Sequence, residues 1–353
     1  MTIAGRARRR ETRGLGDAEE TALPDAQLSK TVLEPVLEPD RAIVDPHHHL
    51  WPGEDRPAYL LDELRADTGS GHRIEATVFI ECLTAYRESG PDAMRCVGET
   101  EFVRPIAEAS RDGNGARVAA IVGAADLRVG DAAEDILAAH ISGGGGLFRG
   151  IRHAASWDPS DAIRVSHHKP PPHLYLDATF RTGFAKLAPL GLSFDAWLYH
   201  PQIPELTDLA RAFPETAIVL DHFGGPLGIG PYADKRVEVF TDWRRDIAPL
   251  AACPNVFVKL GGMAMPINGY GWHKDPAPPS SEAFVDAQGD YYLAAIDLFS
   301  PARCMFESNF PVDKVSLSYR TLWNAFKRLA APFNEAEKDQ LFRGTATGFY
   351  RLA

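Results

Sequence analysis

The sequence contains no long hydrophobic run and no closely paired cysteines. None of its apolar stretches approaches the roughly 18 to 20 residues that are needed to span a bilayer. The four cysteines are Cys82, Cys96, Cys253 and Cys304. Because no two of them have a Cys-x-x-Cys spacing, we expect neither a disulfide framework nor a structural zinc cluster. The basic residues 8–10 are not followed by an apolar segment, so no export signal is expected and the protein is predicted to be cytoplasmic.

The chain also lacks an excess of positive charge. Its 353 residues include 37 Lys and Arg against 48 Asp and Glu, which gives a formal net charge of −11. Such a balance disfavours non-specific binding to nucleic acid or to an anionic membrane, although a local cationic pocket for a small acid is still possible. We therefore expect a small-molecule substrate as the partner, and we leave open whether the chain forms a homo-oligomer.

Residues 1–40 differ in composition from the rest of the chain. They are first basic and then acidic, they contain Pro24, Pro35 and Pro39, and they show little hydrophobic periodicity. This composition predicts a mobile N-terminal arm. Residues 41–353 are then predicted to form one domain.

From residue 42 onward, short apolar runs alternate with amphipathic segments. The strand-like runs are 42–44, 76–81, 118–124, 147–152, 192–197, 217–221, 256–260 and 304–308. The helix-like segments are 101–111, 131–141, 179–187, 203–213, 237–251, 281–299 and 316–330. Eight strands that are apolar on both faces favour an α/β fold of the (β/α)8 TIM-barrel type over an open, doubly wound sheet.

The first apolar run ends in an Asp-x-His-x-His pattern formed by Asp45, His47 and His49. Side chains two apart on a strand point the same way, so His47 and His49 can hold one ion or one polarised substrate group together. His48 is expected to face the other side. The alternative interpretation is a solvated histidine cluster in a loop.

Polar and titratable side chains also lie at or just after the ends of other runs. In a TIM barrel these positions lie at the C-terminal face, where barrel enzymes carry their chemistry. The residues are Glu81, Arg152, His153, His200, Asp221, His222, Lys259, Glu307, Asn309 and Asp313.

Five short motifs that contain these residues, taken in chain order, resemble those of the amidohydrolase-related family of the amidohydrolase superfamily. They lie at 45–49, 150–153, 220–226, 258–262 and 306–313. Within the family the chain is similar to the branch that contains 2-pyrone-4,6-dicarboxylate hydrolase and the sugar-acid lactonases. The resemblance implies a TIM barrel that hydrolyses lactones, amides or esters or decarboxylates small acids, in some members with a divalent metal.

The resemblance also implies roles for individual residues. The histidines after strands one and six polarise the substrate carbonyl, directly or through an ion, and here they correspond to His47, His49 and His222. The family commonly has a catalytic aspartate after strand eight, whereas this chain has Asn309. An amide cannot act as a general base near neutral pH. Glu307, two residues earlier, then becomes the first candidate for the proton acceptor.

A zinc or manganese ion held by His47, His49, His222 and Glu307 is possible, but the replacement by Asn309 puts it in doubt. Strand parity would place Glu307 inside the barrel on the same face as Asn309. A buried glutamate needs a partner, so Glu307 is either a ligand or acid/base group or the partner of a cation such as Lys259.

Several residues are candidates for binding the substrate. The planar fork of Arg152 suits a carboxylate, although pairing with Glu81 or Asp195 is an equal alternative. If the fourth strand continues through both residues, only one of Arg152 and His153 can point toward the barrel mouth. The aromatic candidates for stacking on a planar ring are Trp157, Trp197 and Tyr199, and His273 lies in a predicted lid. Residues 167–173 are rich in histidine and proline and are predicted to form an exposed loop.

We therefore expect a hydrolase of a small carbonyl compound, most simply a lactone or related ester that carries a carboxylate or a ring. One alternative is a metal-dependent decarboxylase of a small unsaturated or aromatic acid. Another is a barrel without catalytic activity that only binds a ligand, because Asn309 stands in place of the expected base.

Overall fold

Eight parallel strands form the centre of the molecule in this computed structural model, which describes residues 34–53, 56–113 and 115–352. Each strand pairs with the next one along the chain, in the order one to eight. The strands are β1 Ala42–His48, β2 Arg73–Ile80, β3 Arg117–Ala124, β4 Phe148–Arg152, β5 Ser193–Ala196, β6 Ile218–Leu220, β7 Val256–Leu260 and β8 Cys304–Phe306. The predicted TIM barrel is therefore confirmed.

The barrel closes between β1 and the segment that follows β8. The backbone N–H of Asn309 donates to the carbonyl of His47 at 3.0 Å, and the N–H of His49 donates to the carbonyl of Phe310 at 2.8 Å. β8 itself has only three residues, so much of the closure lies beyond its end. The two ends of the sheet consequently meet at the C-terminal face, beside the histidine motif.

Helices surround the barrel in an outer layer. They are α1 Leu61–Thr68, α2 Val97–Ser110, α3 Ala133–Gly143, α4 Ala178–Phe184, α5 Ile203–Ala212, α6 Arg236–Ala251, α7 Ser281–Phe299, α8 Tyr319–Leu329, α9 Glu335–Asp339 and α10 Thr345–Phe349. A large apolar core lies between the strands and the helices. A smaller cluster that includes Val78, Val122, Val219 and Met305 packs with Tyr350 near the chain end. Burial on both faces explains why the strands are largely apolar.

The end of the predicted arm lies against α7 and α8. Glu34 accepts hydrogen bonds from Ser281 and Asn324, and the ammonium of Lys327 donates to the carbonyls of Leu37 and Glu38 at 2.8 Å each. Residues 1–33, which make up most of that arm, lie outside the described residues. In the part of the chain that the structure describes, no helix is long and apolar enough to cross a membrane.

Asp45 of the histidine motif joins β1 to the segment after β8. Its Oδ1 accepts from the backbone N–H of Ser308 at 2.9 Å, and its Oδ2 accepts from the hydroxyl of Tyr319 at 2.9 Å. The carboxylate is fully buried. Asp45 thus fixes the backbone on both sides of the closure and, with it, the neighbouring His47.

We predict that Asp45→Ala lowers the free energy of unfolding by about 3 kcal/mol, because it leaves buried donors without an acceptor. Tyr319→Phe is the matched control: it removes one donor of the same group and should cost about 1 kcal/mol. Chemical denaturation measures both values. Equal losses for the two variants would contradict this role of Asp45.

Candidate active site

His47, His222 and Glu307 meet at the C-terminal mouth of the barrel. Glu307 Oε2 lies 2.8 Å from His47 Nδ1, and Glu307 Oε1 lies 2.6 Å from His222 Nδ1. The two imidazole rings are 4.5 Å apart between centroids. The three residues are at most 2% exposed. The carboxylate of Glu307 therefore lies between two imidazoles in a site that is shielded from bulk water.

A left-handed turn and two glycines place His222 and Glu307. His222 has a left-handed backbone with φ of 52°, as does the following Phe223 with φ of 58°. Gly262, with φ of 67°, approaches so closely that a Cβ there would lie 2.1 Å from His222 Nδ1. A Cβ on Gly261 would lie 2.4 Å from Glu307 Cγ. The Gly261-Gly262 pair after β7 therefore leaves the space that both side chains occupy.

Lys259, in β7, lies next to His47. Its ammonium donates to Asp195 Oδ2 at 2.7 Å and lies 3.1 Å from both Asp221 Oδ1 and His47 Nδ1. Burial disfavours the ammonium charge, but Asp195 and Asp221 raise the pKa of Lys259 above its usual value. The hydroxyl of Tyr350 completes this group by donating to Asp195 Oδ2 at 2.7 Å. Lys259 is therefore a buried cation that is paired with carboxylates.

Arg152, at the end of β4, lies on the other side of His47. Its Nε donates to Glu81 Oε1 at 2.7 Å, and its Nη2 donates to the Glu81 carbonyl at 2.5 Å. Its Nη1 lies 3.4 Å from His47 Nε2 and 3.6 Å from Asp221 Oδ2. Arg152 is thus paired with Glu81, as one of its two interpretations predicts. Only the Nη1 side of the guanidinium is turned toward His47.

The buried mouth carries more negative than positive charge. The four carboxylates of Glu81, Asp195, Asp221 and Glu307 face the two cations Arg152 and Lys259, which leaves an excess of two negative charges when the imidazoles are neutral. Burial, followed by the neighbouring Lys259, lowers the pKa of His47 well below its usual value, so this imidazole is neutral. Among the described residues, both oxygens of Asp221 and Oε2 of Glu307 are buried without a hydrogen bond of good geometry.

The ionised form of Glu307 is stabilised by its neighbours. Burial alone would raise the pKa of this carboxyl, but the neighbouring His222 and His47 imidazoles lower it below its usual value. His47, His222 and Glu307 each offer a donor atom within 4.8 Å of the others. Neutral imidazole and carboxylate are the ligands that zinc and similar divalent ions take in proteins. These three residues could therefore hold an ion.

Strand alternation predicts that Asn309 shares a face with Glu307, but in the structure it does not. β8 ends at Phe306, and Asn309 has a left-handed backbone with φ of 54°. Its side-chain amide donates to Asp313 Oδ1 at 3.0 Å. The Asp313 carboxylate also accepts from the N–H of Ala264 at 3.2 Å. Asn309 and Asp313 therefore connect the segments after β7 and β8.

The two remaining histidines of the first motif have separate partners. His49 Nδ1 lies 2.8 Å from the carbonyl of Ile80, and its ring centroid is 5.0 Å from that of His47. His49 is near the centre but is not part of the group of three donors. His48 faces away from it, with Nε2 at 3.0 Å from Thr77 Oγ1, as the alternation of β1 predicted.

The predicted substrate-binding residues fall into different places. The Trp197 ring lies 4.9 Å from that of His222, edge to face, and packs on Tyr199. His153 is fully buried: its Nδ1 accepts from the N–H of Leu127 at 3.3 Å, and its ring packs on Phe180 and His168. Trp157, whose backbone N–H bonds to Gln202, and His273, in the turn Trp272–Lys274, are half-buried.

The prediction of an exposed loop at 167–173 is only partly right. His173 is 71% exposed, but His167 and His168 are largely buried against Glu81. Tyr350 is not among the predicted residues, because nothing in the local sequence around it points to Asp195.

A surface cavity of about 510 Å³ lies elsewhere, lined by His200, Asp158 and Tyr232 among others, and none of the three central residues lines it.

Residues 44–352 match the family described as Amidohydrolase. The chain belongs to this family. It is 32% identical over 334 residues to the uncharacterized protein y4mH of Sinorhizobium fredii, a match that covers 89% of this chain and 99% of the relative. It is 29% identical over 238 residues to an L-fucono-1,5-lactonase of Burkholderia multivorans, covering 67% and 73% of the two chains.

Solved structures support the same fold. Two crystal structures of an amidohydrolase from Burkholderia multivorans, one with bound HEPES and one with bound zinc, superpose with TM-scores of 0.68 and 0.69. Their identities to this chain are 25% and 24%, and each comparison covers 89% of this chain and 100% of the other. Because this chain belongs to the amidohydrolase family, it is an enzyme of the hydrolase class. This membership argues against the interpretation as a barrel that only binds a ligand.

We predict that Gly262→Ala lowers turnover by about 100-fold, because its Cβ displaces the His222 ring and small misplacements of reacting groups are costly. Gly191→Ala is the matched control, since Gly191 has φ of 66° and no neighbouring atom within 4 Å of a Cβ. Both variants bear the backbone cost of a non-glycine residue at positive φ. Steady-state kinetics that show equal turnover for the two would contradict the placement of His222 by Gly262.

We predict that Asn309→Asp, which introduces the aspartate common in the family, lowers the free energy of unfolding at pH 8 by about 2 kcal/mol. It would place a second carboxylate about 3 Å from Asp313, and like charges so close repel. The exchanged double variant, Asn309→Asp with Asp313→Asn, restores one amide and one carboxylate and should recover most of the loss. Denaturation curves in which the two substitutions are additive would contradict this coupling.

Proposed function

We propose that this amidohydrolase hydrolyses the ring ester of a sugar-acid lactone. The observation that carries the proposal is the Glu307 carboxylate held between the imidazoles of His47 and His222 in a buried barrel mouth. The similarity to an L-fucono-1,5-lactonase supports this class of substrate. In the reaction, water adds to the lactone carbonyl carbon, the bond to the ring oxygen breaks, and a hydroxy acid is released.

Glu307 is the proposed proton acceptor. Its Oε1 is bound to His222 Nδ1, while its Oε2 has no hydrogen bond of good geometry among the described residues. The Oε2 atom takes a proton from the attacking water and returns it to the departing ring oxygen, so no net proton is consumed at this step. The His222 imidazole holds the carboxylate in place through its hydrogen bond to Oε1, as the orienting partners of catalytic groups commonly do, and His47 lies beside Oε2.

Two buried cations are available to stabilise negative charge on the carbonyl oxygen. Arg152 Nη1 and Lys259 Nζ lie 3.4 Å and 3.1 Å from the two ring nitrogens of His47. Fixed positive charges in a site without bulk water stabilise a developing oxyanion more strongly than they would in solvent. Trp197, whose ring packs on that of His222, provides an apolar surface for the sugar ring.

The residues at the centre fit a divalent ion. His47, His222 and Glu307 would hold it. The excess of two negative charges, together with Glu307 Oε2, which lacks a hydrogen bond of good geometry among the described residues, favours a cation of charge two. Zinc or manganese suits this set of nitrogen and oxygen donors. When bound, such an ion polarises the lactone carbonyl as a Lewis acid.

The activity is tested with a panel of sugar-acid 1,4- and 1,5-lactones, in which a pH indicator follows the release of acid. We predict that Glu307→Gln lowers kcat by about 10²- to 10⁴-fold, the usual contribution of a general base. Glu99→Gln is the matched control. Glu99 is also fully buried, but its Oε1 only accepts from the N–H groups of Cys82 and Thr84, which a glutamine oxygen can replace.

Two outcomes would contradict the proposal. Equal kcat for wild type and Glu307→Gln would remove Glu307 from the reaction. Release of carbon dioxide from an aromatic or unsaturated acid, with no acid release from any lactone in the panel, would instead assign a decarboxylase.

A further inference from the structure

We propose that Glu81, His167 and His168 form a second divalent-cation site, which fastens the segment after β4 across the barrel mouth. This site is distinct from the group of His47, His222 and Glu307, and it does not depend on which substrate the enzyme takes. Its three residues also offer donor atoms within 4.8 Å of one another.

The separations within this group suit ligands that share an ion. His167 Nε2 lies 3.1 Å from Glu81 Oε1 and 3.2 Å from Oε2, and His168 Nε2 lies 3.4 Å from Oε1. Ligands at about 2.0 to 2.1 Å from a tetrahedral zinc ion are separated from each other by roughly 3.3 to 3.5 Å. The separations of His167 and of His168 from Glu81 are thus close to those of neighbouring zinc ligands, and the two imidazoles offer donor atoms within 4.8 Å of each other.

The hydrogen bonding of the group is incomplete. His168 Nε2 is buried and makes no hydrogen bond of good geometry within the described part of the chain. Glu81 Oε1 already accepts from Arg152 Nε at 2.7 Å, whereas Oε2 is approached only by His167 among the hydrogen bonds that the structure describes. A buried nitrogen without a partner is costly. A cation between the two imidazoles and the carboxylate would satisfy that nitrogen.

The ligand types also suit a cation. Glu81 offers a carboxylate oxygen, and His167 and His168 each offer an imidazole nitrogen. Carboxylate and imidazole are ligands that zinc takes in proteins.

Such an ion would join two distant parts of the barrel. Glu81 directly follows β2, whereas His167 and His168 lie in a segment with no helix or strand between Arg152 and Leu174. Because Arg152 contacts both Glu81 and His47, the link would also hold Arg152 beside the central residues. The ion would thus keep the segment closed over the mouth.

The test is the zinc content of the full-length protein. Chelator-treated wild type, His168→Gln, His222→Gln and His173→Gln are saturated with Zn²⁺, desalted and measured for bound zinc by mass spectrometry. His173→Gln is the matched control from the same segment, because its exposed imidazole pairs only with Glu205 among the contacts described. We expect two ions in wild type and in His173→Gln, and one ion in each of the other two variants.

Limited proteolysis provides a second readout. Zinc should slow cleavage within residues 160–172 of wild type and of His222→Gln by at least about tenfold, and it should not slow cleavage of His168→Gln. Circular dichroism checks that each variant is folded, and His167→Gln repeats the test if His168→Gln is not.

Equal zinc content in wild type and His168→Gln, or zinc-dependent protection that persists in His168→Gln, would overturn the second site. Loss of one ion in His168→Gln but none in His222→Gln would leave the second site standing and would instead contradict metal binding at the central residues. The two proposals can therefore fail separately.

Discussion

The burial of the Glu307 carboxylate is the constraint on which the rest of the site depends. A charge inside a barrel is unfavourable unless other groups stabilise it. Here two imidazoles approach its two oxygens. The end of strand β1 positions His47, and a left-handed turn positions His222. Gly261 and Gly262 then provide the space for the group. The positions of these elements follow from one buried charge.

The same constraint extends outward through a chain of paired groups. Lys259 joins His47 to Asp195 and Tyr350, while Arg152 joins His47 to Glu81. Both cations are therefore held by carboxylates and also lie beside the same imidazole. Through these contacts Tyr350 is linked to His47 by way of Asp195 and Lys259. The arrangement also concentrates negative charge where cations are expected to bind.

Much of this arrangement could be predicted from the sequence, and the reasons for the failures are physical. The alternation of apolar runs predicts the barrel, and its strand ends bring His47, His222 and Glu307 together. Parity could not place Asn309, because the strand ends at Phe306 and the backbone turns left-handed. His167 and His168 resemble an exposed loop locally. Their burial against Glu81 depends on a contact 86 residues away, which local sequence does not reveal.

We propose that lactone hydrolysis occurs at Glu307, between His47 and His222. The most direct measurement is a crystal structure of the Glu307→Gln variant soaked with a sugar-acid lactone. We predict that the side chain of residue 307 holds a water molecule beside His47 and His222. The carbonyl carbon of the lactone should lie within about 3.5 Å of this water. A lactone bound only in the surface cavity beside His200 and Tyr232, with the central residues untouched, would contradict it.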